Sequence, residues 1–130
     1  MNWVNNYLSA TYEDGARGPD KYDCWGLVRE ARHVHCGKRL LPSWGHIRNT
    51  QPREFTEAYR AESQNMELCA PEHGAIAAVM RGAICTHVAI VVAHEDQLYA
   101  LEINPTKGAR IQRLADFTAQ YFKVAYYRDC

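Results

Sequence analysis

The sequence predicts an α+β fold in which N-terminal helices pack on a C-terminal antiparallel sheet of about five strands. Three observations carry this reading. Two stretches in the first half, about 24–36 and 51–65, repeat apolar residues at helical spacing. From Pro71 onward the period shortens to that of strands, and the strand-like runs are parted by turn residues rather than by further long helices. Helices first and strands after, instead of alternation, is the layout of an α+β protein. At 130 residues the chain makes one domain, residues 1–130, large enough for a core without staples.

In chain order, Trp3, Val4, Tyr7 and Leu8 suit a short first helix over about 2–8. Residues 9–22, rich in Gly, Asp and Pro, read as a loop. The central helix is expected from Cys24 to Cys36, with Asp23 as N-cap and Gly37 as its stop. A loop follows whose Trp44 is expected to plug it onto the core. The second helix has Pro52 in its first turn and Phe55, Ala58, Tyr59 and Glu62 on one face. Strands are expected at 75–80, 87–93, 97–103 and 109–114, with turns at Arg81-Gly82-Ala83 and Glu95-Asp96 and a loop at 104–108. A helical turn within 116–121 and a strand at 123–128 complete the chain.

Charge and cysteine content narrow the functional classes. Fifteen basic residues balance fifteen acidic ones, without the basic excess of a nucleic-acid binder, so no such partner is expected. The five cysteines, at 24, 36, 69, 85 and 130, are an odd set with no C-x-x-C pair. They suggest reduced thiols rather than a disulfide framework or zinc knuckle, and no cofactor or metal is expected. The N-terminus lacks the charged-then-apolar order of a secretory signal. The longest apolar stretches fall far below the roughly 20 residues that span a bilayer. The expectation is a protein made in the cytoplasm without a signal peptide or membrane association, carried by something else to any site of action outside.

Cys24 is the first candidate for chemistry. Positions 24, 27, 28, 31 and 35 share one helical face, which puts Cys24 in the first turn. Free N–H groups and the positive dipole end favour a thiolate there, and can lower a cysteine pKa from about 8.5 to roughly 3.5–7.5. A nucleophile is therefore expected, against the commoner fate of a cysteine as a small buried hydrophobe.

Tyr12, Gly15, Gly18, Pro19, Asp23-Cys24, Gly26-Leu27-Val28 and, far downstream, Thr86-His87-Val88-Ala89-Ile90-Val91-Val92 together resemble the NlpC family of papain-like cell-wall cysteine peptidases. The nearest flavour is the short form of phage tails and prophage clusters, and the resemblance spans about residues 1–128. It implies a papain-like fold, a thiol-dependent hydrolase, and a peptidoglycan stem peptide as substrate, commonly cut between D-glutamate and a diamino acid. Tyr12 matches a tyrosine that shapes the substrate cleft, and Tyr12, Asp23 and Trp25 are the candidate substrate-binding residues. Trp25 stands where better-known bacterial members have Ser, so the cleft beside the nucleophile is expected to differ in shape.

A cysteine nucleophile needs a base, and imidazole titrates in the right range. Of the histidines at 33, 35, 46, 73, 87 and 94, His87 opens a strand that would aim it and matches the family's His-led pattern. His33 and His35 lie two to three turns along the helix that Cys24 begins, and His94 adjoins an acidic turn. For the third position many relatives carry a histidine in a Leu-His-Ala context; here the local match is Leu98-Tyr99-Ala100. Glu102 and Asn104 follow on the same strand, on the face opposite Tyr99 by period-two alternation. Glu102 is the favoured orienting residue, because an otherwise apolar strand gives little reason for an acid; Tyr99 and Asn104 stay open as alternatives.

The expected function is thus a cysteine peptidase or amidase of cell-wall stem peptides, a phage-tail or prophage-encoded hydrolase using Cys24, His87 and Glu102. Other phage tail proteins are its expected partners. Two alternatives keep the fold: a weakly active or inactive structural component of a tail tip, and a secreted antibacterial amidase effector. A metal hydrolase built on Cys85 and His87 lacks a second ligand pair.

Overall fold

The computed structural model describes residues 2–44 and 52–130; His46 and the expected helix start at residue 51 lie outside the described residues. A 3-10 turn at Asn2–Val4 leads into α1 (Asn5–Leu8). The following loop is more ordered than its composition suggests. It holds two short parallel strands, β1 (Thr11–Tyr12) and β2 (Lys21–Tyr22), in which Tyr12 pairs with Tyr22. That pairing returns Tyr12 to within two residues of Cys24 in the fold's register.

The central helix α2 runs Cys24–Cys36. Asp23 caps its start, and Gly37, in the left-handed region at φ 68°, ends it by donating its N–H to the Arg32 carbonyl. Its buried side includes Leu27, Val28 and Ala31, as the spacing predicts, and also Trp25 and the whole of Arg32. The second long helix, α3, spans Pro52–Ser63.

Six strands form the main sheet: β3 (Met66–Leu68), β4 (Ile76–Arg81), β5 (Ile84–His94), β6 (Gln97–Asn104), β7 (Gly108–Arg113) and β8 (Lys123–Asp129). Their spatial order is β3-β8-β4-β5-β6-β7, antiparallel throughout. A short helix, α4 (Leu114–Ala119), links β7 to β8. The expectation of about five strands is corrected to six: the addition, β3, is a three-residue edge strand with Glu67 and Leu68 exposed, too short to show a period. The β5–β6 hairpin turns through Glu95 and Asp96, both at positive φ, the backbone that suits a two-residue hairpin loop.

Both faces of the sheet centre are covered. Val88, Ile90, Val92, Leu101 and Ile103 meet Leu27, Val28 and Ala31 of α2, while Ala77, Ala89, Val91 and Ala100 lie under Phe117 of α4. Burial on both sides explains why Ile76-Ala77-Ala78-Val79-Met80 reads as a continuous apolar run rather than an alternating one. The helices-on-antiparallel-sheet arrangement is the α+β fold expected. No helix among the described residues is long and apolar enough to cross a membrane.

Candidate active site

The site is assembled at the start of α2. Asp23 is 3% exposed, and its oxygens are fully engaged: Oδ1 accepts from the Gly26 N–H at 2.8 Å and Arg17 Nη1 at 2.7 Å, Oδ2 from the Gly15 N–H at 3.0 Å. One carboxylate therefore caps the helix and ties the preceding loop onto it. Gly26 completes the fit, since a Cβ there would run into the Ala16 carbonyl. Asp23, a candidate substrate-binding residue by sequence, is placed inward as a structural cap. Asp23→Ala is expected to cost about 2 kcal/mol from the lost cap and its hydrogen bonds, with Asp23→Asn costing less. Urea unfolding midpoints check both.

Cys24 follows at 1% exposure. Backbone hydrogen bonds involving Val88 and Trp25 favour its thiolate, but burial first, then the neighbouring Asp23 carboxylate, push the thiol well above its ordinary range. The expected thiolate is corrected here. The helix end does stabilise negative charge, yet lost hydration and an acid one residue away outweigh it. Cys24 is a neutral thiol in this state.

The contact with Val88 brings the cysteine against β5 at the residue next to His87. The strand begins at Ile84, three residues earlier than expected, and His87 sits past a bulge: Val79 pairs with His87 and Met80 with Cys85, leaving Thr86 as the extra residue. The bulge separates Cys85 from His87 in facing. Cys85 joins the α2-side core, its thiol pushed up to about 12 by burial, while His87 shares a face with Ala89 and Val91. Two residues apart on an unbroken strand they would point the same way. Among the described residues, no group of three or more His, Cys, Asp or Glu side chains could hold a metal ion.

His87 Nε2 lies 2.9 Å from Glu102 Oε1, with His87 7% and Glu102 0% exposed. Glu102 also accepts from Tyr121 Oη at 3.3 Å, Gln112 Nε2 at 2.7 Å and Arg110 Nε at 3.4 Å. Burial alone would raise its pKa, but the hydrogen bond and charge of His87, with Arg110 and a smaller contribution from Asn104, reverse the sign and hold it below the ordinary value. An ionised carboxylate only accepts, so Nε2 of His87 carries the proton of this bond.

Because the folded pKa of Glu102 is depressed, its ionisation stabilises the fold above the ordinary value of 4.5. That contribution is lost as pH falls through the lower folded value. Glu102→Gln is therefore expected to flatten the acid limb of stability against pH below about 4.5. Thermal unfolding from pH 3 to 7 measures it, and an unchanged limb would count against the ionised assignment.

The other sequence candidates fall into place around this pair. Tyr99 stands opposite Val92, near the hairpin end of β6, on the α2-facing side with Leu101 and Ile103, and among the described residues no hydrogen bond joins it to His87. Asn104 closes the loop to β7, its Oδ1 accepting the N–H groups of Thr106 at 3.1 Å and Lys107 at 2.7 Å. Tyr12 donates to Asp14 at 2.8 Å; burial first, then that hydrogen bond, raise its pKa. The remaining described histidines have local ties: His33 to the Lys38 carbonyl, His35 stacked on Trp3, His73 to the Ala93 N–H, and His94 beside Glu95.

Three residues of the site were missed in the sequence: Arg110, Gln112 and Tyr121. A signal for the first existed, because a hairpin closed by 104–108 sets Glu102 opposite Arg110. Nothing local marked Tyr121. A small, mostly enclosed apolar pocket with room for about one water is lined by Arg17, Trp25, Trp44, Phe55, Tyr59 and Val88, with the Trp25 indole N–H donated to the Pro42 carbonyl at 2.9 Å. Compared with known families and with curated proteins, the chain shows no significant match to any family model or curated sequence.

Proposed function

We propose that the chain is a cysteine amidase of papain-like fold, akin to the NlpC peptidases, that hydrolyses an amide bond of peptidoglycan stem peptides. The observation that carries the reading is the buried His87–Glu102 pair, next in sequence to the Val88 backbone that meets Cys24 at a helix start. A stem peptide binds against Trp25 and Tyr59 by widening the small apolar pocket they line. Its entry uncovers Cys24, whose proton passes to His87 Nδ1 as the sulfur attacks the carbonyl carbon. The backbone N–H of Cys24 faces the oxyanion, and Glu102 stabilises the imidazolium. His87 then protonates the leaving amine. Water attacks the thioester with His87 as base, and the acid departs as Cys24 recovers its proton. The setting proposed is a phage tail or a prophage-encoded hydrolase that reaches the cell wall by delivery.

A second reading, a structural tail component without activity, draws on three observations: Cys24 is 1% exposed, it lies in the α2-side core whereas His87 shares the opposite face of β5 with Ala89 and Val91, and among the described residues no hydrogen bond joins the two. Resting hydrogen bonds of this kind are often long and tighten only with substrate. Mass spectrometry of defined muropeptides, incubated with the parent protein and with Cys24→Ala and His87→Ala, separates the two. New stem-peptide fragments absent from both variants support the amidase. An intact pool across tetrapeptides and cross-linked dimers moves the assignment to the structural component.

A further inference from the structure

The second oxygen of Glu102 belongs to a closed circuit of side chains. Gln112 Nε2 donates to Glu102 Oε2 at 2.7 Å, and Gln120 Nε2 donates to Gln112 Oε1 at 2.7 Å. Arg110 Nη2 donates to Gln120 Oε1 at 2.6 Å, and Arg110 Nε closes the ring on Glu102 Oε2 at 3.4 Å. The other Gln120 N–H goes to the Asp116 carbonyl at 3.1 Å, which anchors the ring to the last turn of α4. Both amides are thus fixed in direction, each donating on one side and accepting on the other. The circuit joins β6, β7 and the end of α4, three consecutive elements of the chain.

We propose that Arg110, Gln112 and Gln120 are positioning residues: their ring with Glu102 fixes the carboxylate's rotation, occupies Oε2, and reserves Oε1 for His87 Nε2, so that the imidazole is held in one tautomer. A carboxylate free to turn about its last bond presents either oxygen and leaves the imidazole free to tip. The groups that face Glu102 are His87 from β5, Arg110 and Gln112 from β7, Asn104 from its own strand and Tyr121 after α4. Of these, Tyr121 adds a hydrogen bond to Oε1 and sets its ring 6.4 Å from that of His87, so it supports the same oxygen. The catalytic consequence rests on the proposed role of His87 as base. The tautomer itself is a property of the resting protein.

The experiment is a ¹⁵N imidazole spectrum of His87 above its titration range, in the parent protein and in Gln120→Met, Arg110→Lys and Gln97→Met. Gln120 is exposed, so its replacement leaves the core untouched, and Arg110→Lys keeps the charge while removing the fork. The expected result is a single Nε2–H tautomer in the parent and in Gln97→Met, and a mixture in the two ring variants. If the protein hydrolyses stem peptides, kcat in the ring variants is expected to fall roughly tenfold at nearly constant KM. One tautomer in every folded variant would overturn the proposal even where hydrolysis is observed. Mixed tautomers in the ring variants, with no hydrolysis by any protein, would sustain the ring while removing the amidase reading.

Discussion

His87→Ala is expected to lower kcat/KM for stem-peptide hydrolysis by roughly 10²–10⁴-fold, the range of a lost general acid–base, and Cys24→Ala to reduce turnover to background. The size follows from the state of the cysteine. A thiolate stabilised by the helix end alone would survive loss of the histidine with part of its nucleophilicity. Cys24 is instead held as a thiol by burial and by the Asp23 carboxylate. Its proton has to be taken during attack, so nearly all reactivity is expected to pass through His87. Glu102→Gln should be milder than His87→Ala, since a glutamine oxygen still accepts from Nε2 but brings no charge to the imidazolium. Steady-state rates on a single defined muropeptide, with KM and kcat resolved for each variant, check the order. A Glu102→Gln defect as deep as that of His87→Ala would mean that the carboxylate does more than orient.

How far the sequence reaches is clearest at the two ends of the candidate triad. The Asp23 cap, the Cys24 start and the Gly37 stop are local signals, each set by backbone chemistry within a few residues, and α2 occupies the range they predict. The contact of Glu102 with His87 was hinted at by an acid on an otherwise apolar strand, while alternation only set Glu102 and Asn104 on the face opposite Tyr99. What alternation could not supply was the bulge at Thr86, because an extra residue leaves no mark in composition. Equally hidden was the fate of Asp23. A carboxylate before a helix signals a cap, but its bonds to Gly15 and Arg17, and the resulting pressure on Cys24, depend on a loop that folds back through the β1–β2 pairing. The burial of Arg32 carried no sequence signal either: helical spacing sets an arginine beside the buried stripe, and only tertiary contacts decide whether such a residue snorkels outward or is drawn in.

Asp129→Ala is expected to be the most destabilising of the substitutions considered, about 2–4 kcal/mol, for that reason. The Arg32 side chain is 1% exposed, and its Nη2 lies 2.6 Å from Asp129 Oδ1. A 3.3 Å hydrogen bond runs from Nη1 to the Arg39 carbonyl, and among the described residues Nε has no hydrogen-bond partner. Arg39 shares the same Oδ1 at 3.0 Å and also pairs with Glu62. Without Asp129, Arg39 keeps Glu62, whereas Arg32 is left as a buried cation facing a second cation. Breaking a buried pair from one side costs about 3–5 kcal/mol, and the 28% exposure of Asp129 argues for the lower part of that range. Arg32→Met removes the charge together with its desolvation penalty and keeps most of the volume, so it is expected to cost under about 1 kcal/mol. Arg32→Met combined with Asp129→Ala should recover most of the loss. Thermal unfolding reads the difference directly, at roughly 3–5 °C per kcal/mol for a chain of this size. A loss below about 1 kcal/mol for Asp129→Ala, the worth of an exposed ion pair, would show that solvent reaches Arg32 and that α2 is tied to β8 by packing alone.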